Sequence, residues 1–142
     1  MPKLLIVLSL LCLCVTPVRA NLVCNGGFED LPLTNPPHCW TITNNGNIDV
    51  VNGLWLGCDG SAVTVDLNGS VTQNPAALSQ TLTTVHGTSY CLRFCFAGNP
   101  HAGPPIKTMT VTVVDGNGTT LLSNPYAFDI TGHDYPHMGW VE

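Results

Sequence analysis

Alternation of apolar and polar positions is the recurring pattern along this chain. Val63, Val65 and Leu67 alternate with Ala62, Thr64 and Asp66; Leu78, Gln80 and Leu82 alternate with Ser79, Thr81 and Thr83; Met109, Val111 and Val113 alternate with Thr108, Thr110 and Thr112. A period of two places one set of side chains inward and a threonine-rich set toward solvent, so each run predicts a half-buried strand. The strongest run is SYCLRFCFAG, residues 89–98, in which Tyr90, Leu92, Phe94 and Phe96 share one face and Cys91, Arg93 and Cys95 the other. NLVC at 21–24 predicts a short opening strand, which Asn25-Gly26-Gly27 ends, glycine supplying the positive φ of a tight loop, before Phe28 turns into the core. No stretch keeps helical spacing beyond two turns.

Turn signals fall between the strands at short intervals. They include Asn45-Gly46, Asn52-Gly53, Asp59-Gly60, Asn68-Gly69, His86-Gly87, Asn99-Pro100, Gly103-Pro104-Pro105, Asp115-Gly116-Asn117-Gly118 and Asn124-Pro125. Seven to nine short antiparallel strands in one all-β domain follow, an antiparallel β-sandwich of jelly-roll type fitting better than a closed barrel. Met138-Gly139-Trp140-Val141-Glu142 reads as a strand just beginning.

Residues 1–20 predict a signal peptide and not part of the domain: Lys3 precedes the apolar run Leu4 to Val15, and Val18-Arg19-Ala20 suits cleavage. That run is too short for a lasting transmembrane span. The domain is then 21–142, with only Arg93 and Lys107 against nine carboxylates, a net charge of −7. So few cations argue against nucleic acid and anionic membrane as partners. The expected location is secreted, extracellular or cell wall.

Cysteine usage agrees with export. Cys24, Cys39, Cys58, Cys91 and Cys95 remain after the leader and are the disulfide candidates. Cys91 and Cys95 cannot bridge each other along one regular strand, where four residues span about 13 Å and a disulfide allows about 7 Å between Cα atoms. Five is odd, which leaves one thiol free, paired between chains, or awaiting a partner outside this sequence. Asn68-Gly69-Ser70 and Asn117-Gly118-Thr119 match the glycosylation acceptor pattern in turn-like sequence.

Taken together, NLVCNGGFE, Ile48 to Val51 before Trp55, SAVTVDLNGS, LSQTLTT, Tyr90 to Phe96 with AGNP, and Lys107 after a Pro-rich loop resemble the choice-of-anchor C family. The same series resembles the plant cell-wall family of domain of unknown function 642. The resemblance implies a galactose-binding-like jelly roll, secreted or surface-attached, with affinity for cell-wall polysaccharide. NGGFE is also similar to the start of carbohydrate-binding modules in which the Glu after Phe helps hold a structural calcium, which makes Glu29 the expected metal ligand. Relatives continue past the MGW segment with further strands. The domain is therefore expected to lack its last strands, and with them part of the calcium site.

Composition adds candidate chemistry. Glu29 and Asp30 stand in a loop that could give a calcium ion some of the six to eight oxygens it takes, although ordinary solvated acids fit the same positions. Trp40, Trp55, Tyr126, Tyr135 and Trp140 could stack on sugar rings, or simply pack. Trp55 with Asp59 close by, and Tyr135 beside Asp134, are the favoured carbohydrate-binding set, because a sugar site needs aromatic faces and hydroxyl partners together. Trp40 reads as core. His133 and His137 form an H-x3-H interval that lacks further zinc ligands, and His101 reads as a loop residue. No G-x-S-x-G, phosphate loop or H-E-x-x-H occurs, and an acid pair such as Asp49 and Asp66 is no more than nominal, so no enzyme is expected. The leading function is a non-catalytic module binding extracellular polysaccharide; the alternative is a matrix or cell-wall structural protein acting through protein contacts.

Overall fold

The computed structural model of the chain describes residues 21–43, 46–70, 75–101 and 103–142. The expected leader at 1–20 and Asn45 of the Asn45-Gly46 turn lie outside the described residues. Among the described residues the chain is all-β: β1 (Thr41–Thr43), β2 (Asp49–Asn52), β3 (Val63–Asp66), β4 (Ala77–Ser79), β5 (Ile106–Val114) and β6 (Thr120–Asp129). They form three two-stranded antiparallel ladders, β1 with β4, β2 with β3 and β5 with β6. No helix among them is long and apolar enough to cross a membrane.

β5 and β6 carry out the alternation most fully. Lys107, Met109 and Val111 are half-buried between exposed neighbours. They lie opposite Phe128, Tyr126 and Asn124, so one face of the hairpin collects Met109 with two aromatic rings. A register shift between Val113 and Val114 breaks the alternation, and both side chains are exposed.

The hairpin turn is built around one carboxylate. Asp115 Oδ1 accepts the amides of Asn117 and Thr119, each at 2.8 Å, while Gly118 N–H donates to the Asp115 carbonyl. The Thr119 amide first, and the Asn117 amide next, hold the Asp115 carboxyl below the ordinary aspartate value of 3.8. A carboxyl depressed in the folded state stabilises it above the unfolded value and ceases to as pH falls through the folded one. Asp115→Asn is therefore expected to flatten the loss of hairpin order below about pH 4, read from amide exchange in β5 and β6. A wild-type profile unchanged by the substitution would contradict the assignment.

Two predicted strands are absent. Residues 21–24 are not paired, and the chain turns at 23–28. Positive φ falls on Asn25 (50°) and Phe28 (62°), while Gly26 and Gly27 are not among the positive-φ residues. Asparagine tolerates this region because its side chain bonds locally: Asn25 Oδ1 accepts the Asp30 amide at 3.1 Å and Nδ2 donates to the His38 carbonyl at 3.1 Å. Phe28 is half-buried against Trp40, centroids 5.4 Å apart, and Trp40 is itself half-buried with its indole N–H on the Asn25 carbonyl.

The run at 89–98 is likewise no strand apart from a bridge between Phe96 and Val141. Side chains hold it instead. Phe94 and Phe96 pack on the inner face of β6, with Tyr126 at 5.3 and 5.7 Å and Phe128 6.1 Å from Phe96. Gly98 makes the approach possible, since a Cβ there would stand 2.4 Å from Ile130 Cγ2 and 2.6 Å from Lys107 Cγ. Tyr90 and Leu92, expected on the same face, are about half exposed, at 50% and 52%.

Buried apolar side chains are Ile48, Trp55, Val63, Phe128 and Met138, Ile48 alone being fully buried. They come from β3, β6 and the loops between strands. Two disulfides, Cys24–Cys39 and Cys58–Cys95, tie loops to this core, and Cys91 is free and exposed. Two such bridges are compatible with an extracellular protein.

Candidate functional site

The loop between β2 and β3 brings the favoured aromatic into place. Gly53 donates to the Ala62 carbonyl at 2.8 Å and Gly57 to that of Ser61 at 2.8 Å, closing residues 53–62 as a laddered loop. Gly53 and Gly60 take φ of 75° and 84°, a region that would strain other residues. Three ties then fix the loop. Trp55 inserts into the core with 5% of its surface exposed, Cys58 bonds Cys95, and the Ala62 amide donates to Glu29 Oε1 at 2.9 Å.

A second loop meets it. Asp134 caps the turn 134–137, its Oδ1 accepting the His137 amide at 3.0 Å and lying 2.8 Å from His137 Nδ1. This turn sets Tyr135 against Trp55, centroids 5.9 Å apart and planes at 49°. His101, from the loop after Phe96, stacks on Tyr135 at 5.3 Å and 23°. Trp140 closes the edge by donating its indole N–H to the Leu56 carbonyl at 2.7 Å.

The outcome is an aromatic layer of Trp55, Tyr135 and His101, graded from buried through half-buried to exposed. Trp55 offers no open face to a ligand, because its indole is core. Its Nε1 is buried with no hydrogen-bond partner, a cost that packing must offset. Asp59 stands exposed on the same loop as Trp55. Its Oδ1 accepts the Ser61 amide at 2.9 Å, and Ser61, through backbone and then side chain, lowers the Asp59 carboxyl below 3.8.

The remaining candidates are placed as follows. Glu29 spends one oxygen on Ala62, and among the described residues no group of three or more acid, His or Cys donors contains it. Its other carboxylate oxygen would supply one of the six to eight oxygens that a calcium ion takes. His133 Nδ1 faces the His137 carbonyl at 3.1 Å while His137 turns to Asp134, so the two rings do not converge on one point. Asp49 and Asp66 are directly opposite in the β2–β3 ladder. Their oxygens are engaged by the Ser70 amide, the Asn68 amide and the Asn99 side chain. Asn68 and Asn117 are both exposed.

Sequence reasoning chose Trp55 and Tyr135 separately and missed His101 as their neighbour. The proline and glycine signals on either side of His101 mark a loop but do not say where it folds back. No family model, no curated protein and no solved structure matches the chain.

Proposed function

We propose that this chain is a secreted, non-catalytic module that binds extracellular or cell-wall polysaccharide where His101 and Tyr135 stack over Trp55. The graded aromatic layer carries the reading. A pyranose presents axial C–H groups to an aromatic face, while its hydroxyls need acceptors and donors at the rim. Exposed His101 and half-buried Tyr135 form the platform, Trp55 backs it from the core, and Asp59 supplies an ionised acceptor on the adjoining loop. The three antiparallel ladders are compatible with a sandwich of galactose-binding-like jelly-roll type, and the resemblance in the motif series supports the same ligand class. The net charge of −7 left by the residues after the leader favours a neutral glycan over a polyanion.

Retention on insoluble cellulose or chitin, both neutral glycans or nearly so, tests it. Tyr135→Ala is expected to weaken retention about tenfold or more, equivalent to about 1.4 kcal/mol, when compared well below the variant's own melting temperature, which falls because the half-buried ring packs on Trp55. Binding to neither of these surfaces, or equal retention by the variant, would sink the reading.

A second reading rests on a different observation. Residues 81–93 are exposed throughout and form no ladder, with Val85 at 67% exposed and the free thiol of Cys91 among them. Unpaired backbone with apolar side chains is suited to pairing with another extracellular protein's strand. A non-reducing gel distinguishes this case: a linked species that collapses on reduction and disappears in Cys91→Ser supports protein contact, and a clean monomer argues against it.

A further inference from the structure

A second cluster of chemically able side chains lies away from the aromatic layer, at the loop joining residues 24 and 39. The ligating atoms of Cys24, His38 and Cys39 all lie within 4.8 Å of one another. Cys39 Sγ lies 3.5 Å from His38 Nδ1 and 4.0 Å from Nε2, and Nδ1 is also 3.3 Å from Asp30 Oδ2. Two sulfurs and an imidazole are donors that zinc takes, and a carboxylate on the imidazole's Nδ1 leaves Nε2 as the nitrogen to turn toward a metal. Sulfur and nitrogen donors do not suit calcium or magnesium.

In the oxidised chain the two sulfurs are spent on each other. What matters is that their backbones are also held independently of the disulfide. Gln80 accepts the Cys24 amide at 2.8 Å through Oε1 and donates through Nε2 to the carbonyls of Cys24 (2.9 Å) and Cys39 (3.1 Å). Asn25 binds the His38 carbonyl and the Asp30 amide on the other side. The Cα atoms stand 5.9 Å apart. Two thiolates on one tetrahedral zinc, each at about 2.3 Å, sit roughly 3.8 Å apart, a separation that side-chain rotation can reach with the backbone fixed.

We propose that reduction of Cys24–Cys39 converts this loop into a zinc site formed by both thiolates and His38 Nε2, with Asp30 as the orienting group and solvent in the fourth position. The balance is direct. A dithiol reductant gives two electrons and two protons to the disulfide and becomes a disulfide itself. The two thiols then release two protons to solvent as Zn2+ binds. Disulfide and zinc thus compete for the same two sulfurs, and the metal-bound form belongs to reducing conditions.

Cobalt substitution in the full chain, reduced with a phosphine under inert gas, tests this. One equivalent of Co2+ should produce thiolate-to-metal charge-transfer absorption and the visible bands of a tetrahedral ion, both bleached by Zn2+ and absent from the oxidised chain. Cys91→Ser should leave them unchanged, and the double variant Cys24→Ser, Cys39→Ser should abolish them. His38→Asn, which leaves the disulfide intact in the oxidised form, should weaken Co2+ affinity at least tenfold, and Asp30→Asn about tenfold. Bands missing from the reduced chain, surviving in the double serine variant, or keeping full affinity in His38→Asn would overturn the assignment.

Discussion

Replacing Cys58 and Cys95 together by alanine is expected to lower the stability of the oxidised chain by about 4 kcal/mol. The bridge closes a loop with a sequence separation of 37, and the entropy removed from the unfolded chain grows with the logarithm of that length. The folded side points the same way. Cys58 sits at the tip of the loop that seats Trp55, and Cys95 lies between Phe94 and Phe96, whose one backbone ladder contact among the described residues is the Phe96–Val141 bridge. The Cys24–Cys39 bridge, with a separation of 15, should contribute less, about 3 kcal/mol, and the three hydrogen bonds of Gln80 remain when it is removed. Denaturant midpoints at equal slope measure both. A loss at Cys58–Cys95 smaller than that at Cys24–Cys39 would contradict the ordering.

Trp55→Ala is the other large effect, expected to cost about 3–5 kcal/mol from lost burial and the cavity left behind. Trp55 is one of five buried apolar side chains among the described residues, and Tyr135 leans on it, so the proposed glycan platform should loosen as well. Trp55→Phe separates the contributions. It keeps an aromatic ring in the core and removes an indole N–H that has no acceptor, so part of the loss is regained. Thermal unfolding of the two variants checks this. A Trp55→Ala chain within about 1 kcal/mol of wild type would mean that the indole is not core.

Alternation in the sequence located strands better than their faces or partners. It placed β3 and β5; at β3 the face expected toward solvent is covered, with Thr64 as buried as Val63, while at β5 it anticipated which side chains turn inward as far as the register shift at Val113. At 89–98 the same signal was stronger, yet no ladder forms there beyond Phe96, because a period of two describes one face and says nothing about whether an edge lies alongside. The first loop failed for another reason. Its positive φ angles belong to Asn25, Phe28 and Cys39, residues that a search for glycine turns passes over. Cysteine spacing excluded one pairing and left the rest open, since connectivity is a property of the folded chain. At the candidate site, residue type was legible and adjacency was not: Trp55, His101 and Tyr135 come from three separate loops. Gln80, read as one inward position of a strand, in fact satisfies the backbone of two others.

The exposed run at 81–93 ends at Arg93, the sole arginine between residues 21 and 142. Its surface ion pair with Glu142, at 3.8 Å, gives little protection. A trypsin-like protease would find its substrate there in exposed, unladdered backbone. Scission after Arg93 would put Cys58 on one fragment and Cys95 on the other, so the nicked molecule would travel as a single species until its disulfides were opened. Limited digestion would then leave a covalently joined heterodimer of fragments, cut at the surface and tethered beneath it.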